Sequence, residues 1–336
     1  MQANHLKNSE LTQTAILILG AQRSGTTWLG KIFDSHPDVL YRNEPDEVRR
    51  GPPGAAGDAL LATVSGWIHE RSLRSAAKRP FFRKSWQSWP AYWLREGISA
   101  AFTAGARVPL FGGHMARITI PDLAPIERIS GVRAALKSIA WCDGVGTFAR
   151  MLPRSRTVVI LRHPCGQVAS VMRGAAQHRF TLREPGTKMP YNEQQAMARA
   201  ANRGIKAAEF QALPAAAKYA WAWVAFNETA LTALDGMPNA RIVLYEDLCA
   251  RPAELARELL EFAGLGWDKQ TEAFISRSTN HRGSAGYYAV FRDSIAAAGS
   301  WRTKMPMADQ DAVRDVVRRS PTLARLWPDI GSGEHC

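Results

Sequence analysis

The segment that most constrains this chain is Ala15-Ile16-Leu17-Ile18-Leu19, which runs directly into Gly20-Ala21-Gln22-Arg23-Ser24-Gly25-Thr26-Thr27-Trp28. The apolar run is too short to span a bilayer and fits a buried strand. A glycine-containing loop follows, then a helical pattern over Thr26–Phe33 that ends at the His36-Pro37 turn. Strand, loop and helix start together gather backbone N–H groups around one point, where the helix dipole favours an anion. Gly20 and Gly25 stand in the register of the G-x-x-x-x-G-K-[ST] phosphate loop. Thr26 takes the lysine position, and a cation sits inside the loop at Arg23. Ser24, Thr26 and Thr27 supply three hydroxyl donors. Such a loop suits a phosphate-like group. It lacks the lysine that bridges β- and γ-phosphates and has no convincing acidic partner for magnesium.

Two more short apolar runs, Thr157–Leu161 and Arg241–Tyr245, read as strands of the same kind. A further strand is apparent just before Glu44. Helical patterns follow at Gly166–Arg173, Ala215–Leu234 and Pro252–Ala263. Strands alternating with helices predict an α/β fold, a central parallel sheet with helices on both faces. With 336 residues, one such domain can bury a full core without a second. The expected organisation is a flexible N-terminus over 1–13 and a single domain over 14–330. Insertions at about 49–97 and 177–203 are expected over the strand ends, where α/β proteins place ligands. The first insertion is basic and aromatic, with Trp67, Trp86, Trp89 and Trp93 among arginines and lysines.

Charge then asks for a partner. Lys and Arg number 43 against 30 Asp and Glu, a formal net charge of +13. That excess fits nucleic acid, a membrane surface or a small polyanion. The Trp- and Arg-rich stretch suits stacking on single-stranded bases, but no recognised nucleic-acid motif accompanies it, so no nucleic acid is expected. A small-molecule kinase with a degenerate phosphate loop is the competing enzyme. Cys142, Cys165, Cys249 and Cys336 show no CxxC spacing, so neither a disulfide scaffold nor a zinc site is expected. No targeting or transmembrane run is evident, and the expected location is cytoplasmic.

Arg23-Ser24-Gly25-Thr26-Thr27-Trp28 resembles the 5′-phosphosulfate loop of sulfotransferases that use 3′-phosphoadenosine 5′-phosphosulfate (PAPS). Arginine in place of the lysine of cytosolic members resembles the carbohydrate-type and bacterial branch. A second motif agrees: Arg162 ends the strand Thr157–Leu161 and Ser170 lies eight positions later, the spacing of the family's 3′-phosphate site. The resemblance implies a fold like that of phosphate-loop NTPases, PAPS as donor, 3′-phosphoadenosine 5′-phosphate as product, and no metal. It implies that Arg23 stabilises the leaving group, that Ser24, Gly25, Thr26 and Thr27 hold the phosphosulfate, and that Trp28 lies near the adenine. Arg292, Trp301 and Arg302 resemble the C-terminal loop that closes over the nucleotide. Tyr245-Glu246-Asp247-Leu248 resembles a segment that pins a loop. Lys137-Ser138-Ile139 keeps the family's lysine but has isoleucine where cytosolic members carry the histidine base. Glu44 therefore becomes the expected base, its pKa raised by shielding, with Lys137 on the sulfuryl group and His114 as the fallback. The acceptor is expected to be a carbohydrate, a lipid headgroup or a small natural product, acidic if the surplus charge serves it.

Overall fold

The computed structural model describes residues 10–52, 54–105, 118–122, 129–177, 191–279 and 294–331. Its centre is a five-stranded, wholly parallel sheet of order β2-β3-β1-β4-β5. The strands are β1 (Ile16–Leu19), β2 (Val39–Asn43), β3 (Arg133–Ser138), β4 (Arg156–Leu161) and β5 (Ala240–Leu244). The helices used below are α1 (Thr26–Ser35), α2 (Gly57–Ile68), α3 (Leu73–Ala76), α4 (Trp89–Gly105), α5 (Pro164–Ala176), α6 (Tyr191–Ala201), α7 (Ala215–Leu234) and α8 (Pro252–Phe262).

Alternate residues of β1 explain why the whole run must be apolar. Leu17 and Leu19 enter a core shared with Val168 of α5 and with Trp223 and Phe226 of α7. Ile16 and Ile18 enter a second core, on the opposite face, with Ile32 and Phe33 of α1 and Leu259 of α8. A strand buried on both faces reads as continuous hydrophobicity rather than alternation. The three expected strands are present within a residue or so of their predicted bounds. β3 is different: Arg-Ala-Ala-Leu-Lys-Ser carries no apolar run, yet it lies between β2 and β1.

β1 lies between β3 and β4: the chain passes from β1 to β2 and back to β3 on one side, then crosses to β4 and β5 on the other. A crevice at the carboxyl ends of the strands forms at such a reversal. The loop 20–25 sits at this point. Lys137 and Ser138 end β3 on one side of it, and Arg162 follows β4 on the other.

The first insertion is strapped to the sheet by buried charge. Lys31 Nζ, on α1, donates to Asp34 at 2.6 Å and to the carbonyl oxygens of Lys78 and Pro80 at 2.5 and 3.1 Å. Lys84 Nζ bonds the other Asp34 carboxylate oxygen at 2.9 Å. Burial lowers the Lys31 pKa to about 8, partly offset by Asp34. Arg42, fully buried in β2, reaches Asp122 at 2.8 Å and the carbonyl of Ile68 at 2.9 Å. Losing one member of such a group would strand the rest without a partner in low dielectric.

One expectation about the termini changes. Residues 10–13, the described part of the stretch expected to be a flexible tail, are helical, with Leu11 and Thr12 buried.

Candidate functional site

The loop is held by close approaches that no side chain would allow. A Cβ on Gly20 would lie 2.5 Å from Ser24 Oγ and 2.7 Å from the Ile160 carbonyl oxygen. Gly25 has φ +105°, and a Cβ there would lie 2.5 Å from the Tyr245 ring. Arg23 adopts φ 71°, an uncommon choice for a residue with a side chain. The chain thus turns sharply twice and enters α1, whose first-turn N–H groups have no partner within the helix. Of the three expected hydroxyl donors, Thr27 is partly exposed, while Ser24 and Thr26 are enclosed. Ser24 Oγ is buried and has no hydrogen-bond partner among the described residues.

The two anion motifs meet. Arg23 Nε donates to Ser170 Oγ at 3.2 Å. Arg162 Nη1 donates to the Arg23 carbonyl at 3.3 Å, and its guanidinium lies 4.7 Å from the Tyr245 ring centroid. The turn behind them is pinned as expected: Glu246 Oε1 accepts the His163 backbone N–H at 3.0 Å.

Across the loop stands a carboxylate with two cations. Glu44 follows β2 with φ 49°, and its N–H donates to the Lys137 carbonyl at 2.7 Å. Its Oε1 accepts from Lys137 Nζ, and its Oε2 accepts from Arg74 Nη2 at 2.8 Å. Burial by itself would raise the Glu44 pKa. The Lys137 charge and the hydrogen bonds from Lys137 and Arg74 outweigh it, so the carboxyl is held below its ordinary value. The raised pKa expected from shielding is thereby corrected: the two partners, from β3 and α3, reverse the sign. Lys137 is 1% exposed, and burial lowers its pKa despite Glu44.

The sequence reading missed Asp46, the neighbour that does have a raised pKa. Burial lifts it from 3.8 to about 6, against the hydrogen bond that Ser138 Oγ donates to Oδ2 at 2.7 Å. It also did not distinguish Arg74 and Lys78 from the basic stretch around them. The Lys78 pKa is lowered by burial, with the charges of Glu44, Arg23 and Arg74 felt there.

Four nucleotide contacts expected from the motifs are placed differently or fall outside the described residues. Trp28 is 6% exposed, donates its indole N–H to Ser278 at 3.1 Å and packs in the core, leaving little ring face for a base to stack on. Trp301 is buried and stacked on His163 with centroids 4.3 Å apart, so its ring is already occupied. Arg302 is exposed, its guanidinium 4.6 Å from the Trp301 ring. Arg292 and His114 lie outside the described residues. No group of three metal-ligating side chains occurs among the described residues.

Beside the loop opens a cavity of about 350 Å³. Gln22 from the loop, Glu47 from the turn after β2, Arg74 from the first insertion, Gln195 from α6 and Tyr219 and Trp223 from α7 are among its walls. Glu47 and Arg74 face each other at 3.7 Å, so its charges are compensated.

The profile of the Sulfotransferase family matches residues 15–269 of this chain, more than half of it. Over 325 residues the chain is 25% identical to Carbohydrate sulfotransferase 5 of Mus musculus, the match covering 90% of this chain and 78% of that protein. A stretch of 67 residues is 40% identical to Carbohydrate sulfotransferase 1 of Danio rerio, covering 19% of this chain and 16% of that relative. Among solved structures, the sulfotransferase domain of the Synechococcus PCC 7002 olefin synthase superposes with a TM-score of 0.44 at 15% identity, covering 90% of this chain and 93% of that one. A mouse sulfotransferase complexed with PAP gives 0.48 at 11% identity, covering 96% of this chain and 89% of that one.

Proposed function

This chain belongs to the sulfotransferase family, and we propose that it moves a sulfuryl group from PAPS to a hydroxyl of a neutral, sugar-like acceptor. The observation that carries the donor assignment is the joining of the two anion motifs through Arg23, Ser170 and Arg162. One ligand with phosphate at both ends of a nucleoside accounts for two cationic strand-end sites beside one loop. A kinase reading leaves the second site without a purpose.

The transfer follows from the positions. The acceptor oxygen approaches sulfur opposite the bridging oxygen, the new O–S bond forms, and the bond from sulfur to the 5′-phosphate oxygen breaks. Negative charge grows on that phosphate, where Arg23 and the loop N–H groups stabilise it. The acceptor's proton passes to Glu44. Held ionised by Lys137 and Arg74, Glu44 is ready to accept a proton but is a weak base. Turning Lys137 toward the sulfuryl group removes its strongest partner and leaves burial to raise its basicity.

The acceptor class rests on the cavity. Tyr219 offers apolar ring surface, Gln22 and Gln195 offer amide donors and acceptors, and the one charged pair among the lining residues is balanced. Such a lining suits a polyhydroxyl group better than an acidic one. The carbohydrate sulfotransferase relatives agree with that choice.

A thermal-shift comparison tests the donor. 3′-Phosphoadenosine 5′-phosphate should stabilise the protein without magnesium, and ATP with magnesium should not. The reverse pattern would favour the kinase. Transfer of radiolabelled sulfate from PAPS to pools of neutral and acidic glycans tests the acceptor.

A further inference from the structure

The outward face of α4 inverts the usual pattern of a surface helix. Its exposed positions between 89 and 104 include Trp89, Pro90, Trp93, Leu94, Gly97 and Ala101, and none is charged or polar. Trp89 is 59% exposed, Trp93 61% and Leu94 55%. The cation goes the other way: Arg95 turns inward and donates to the carbonyl of Ala76 on α3 at 3.2 Å. Ile98 and Phe102, also inward, pack on the small cluster of Ala76, Ala77 and Ile120. The inner face is therefore packed, and the outward apolar stripe is not spare core. Single exposed apolar residues are ordinary, but a continuous stripe with two tryptophans points to a partner.

The surroundings say which partner. Arg71 and Arg79 are exposed on the same insertion, and the Arg83 guanidinium lies 4.9 Å from the Trp89 ring centroid. The chain as a whole carries +13. Most of that surplus is not used by the nucleotide sites. Two copies meeting face to face on this stripe would bring their cationic rims together, and like charge across an interface is costly. Tryptophan and leucine rimmed by arginine instead match the boundary of a bilayer, where rings settle at headgroup depth and cations meet lipid phosphate. No described helix is long and apolar enough to cross a membrane. We propose that the outward stripe of α4, Trp89, Trp93 and Leu94 with Arg79 and Arg83 beside it, is a peripheral docking surface for an anionic lipid bilayer.

The proposal does not depend on the sulfotransfer reading, because its test needs no turnover. The full chain should sediment with phosphatidylcholine vesicles containing phosphatidylserine. It should stay in solution with phosphatidylcholine alone, and raised salt should release it. The double variant Trp89→Ser, Trp93→Ser should lose about tenfold or more in vesicle partitioning. Its circular dichroism and its stabilisation by 3′-phosphoadenosine 5′-phosphate should match the parent. A double variant that binds as tightly as the parent overturns the proposal. So does a parent chain that ignores anionic vesicles, or light scattering that shows a dimer of the parent which the variant dissolves.

Discussion

Around the loop 20–25, cations converge on one point and the apolar side chains lie beneath them. Along α4 the order is reversed: Arg95 points inward and the tryptophans meet water. Both regions are rich in arginine, yet they use it oppositely. At the loop each cation is fixed by a named partner, so Arg23 rests on Ser170, Arg162 on the Arg23 carbonyl and Lys137 on Glu44. At α4 the cations lie beside an apolar surface, with Arg83 against the Trp89 ring. A site built for a small anion needs cations of fixed position. A surface that meets a bilayer needs only their number and their side.

The largest expected effect is at the base. Glu44→Gln should lower turnover by about 10²–10⁴-fold while leaving affinity for 3′-phosphoadenosine 5′-phosphate nearly unchanged, read from steady-state kinetics and calorimetry. A variant with normal turnover removes the base assignment. Next comes Arg162→Ala, which should weaken the bisphosphate by about 10–100-fold and adenosine 5′-phosphate far less. Equal losses for both would break the assignment of Arg162 to one end of the ligand.

A smaller effect concerns stability. Burial raises the Asp46 pKa above its unfolded value, from 3.8 to about 6. The protonated form is therefore favoured by folding, and that contribution is full below the unfolded pKa and lost as pH rises through about 6. Asp46→Asn keeps an acceptor for Ser138. It should raise Tm by about a few degrees above that pH, with the gain vanishing toward pH 3.8 in calorimetric scans. A constant difference across the range would exclude burial of the charge as the cause. Arg74→Ala should remove one of the hydrogen bonds that depress the Glu44 pKa. The acid limb of the pH–rate profile should then move to higher pH. A limb that stays in place would separate Arg74 from the chemistry. Smallest of all, Trp93→Ser should change stability by no more than about 0.5 kcal/mol, as expected for a side chain that supports nothing beneath it.

The loop 20–25 and the Arg162–Ser170 unit were legible as structural elements because their signals are local. β1 is a run of apolar residues ending in glycine, and each glycine answers to a contact within the loop or beside it. Arg162 and Ser170 are eight positions apart on one strand–turn–helix unit. The acceptor side was less legible because its signals are distant in sequence. Glu44 takes its pKa from Lys137 and Arg74, which lie 93 and 30 positions away. β3 hides because its apolar stretch, Ala134-Ala135-Leu136, is short and lies between charged residues, although it pairs with β2 and β1 on both sides. The tryptophans of the first insertion divide: Trp67 is 1% exposed and stands edge-on to Trp141, while Trp89 and Trp93 face out. Helical periodicity marks a face as apolar, but only the surrounding fold decides whether that face is covered.

The hydrogen bond from Arg23 to Ser170 has a thermodynamic consequence. An arginine on a flexible loop would lose rotamer freedom each time a nucleotide bound. Here the left-handed backbone and the serine hydroxyl fix that side chain before any ligand arrives. The entropy of ordering it belongs to folding rather than to binding, so association should be limited by encounter and desolvation, not by a search among loop conformers.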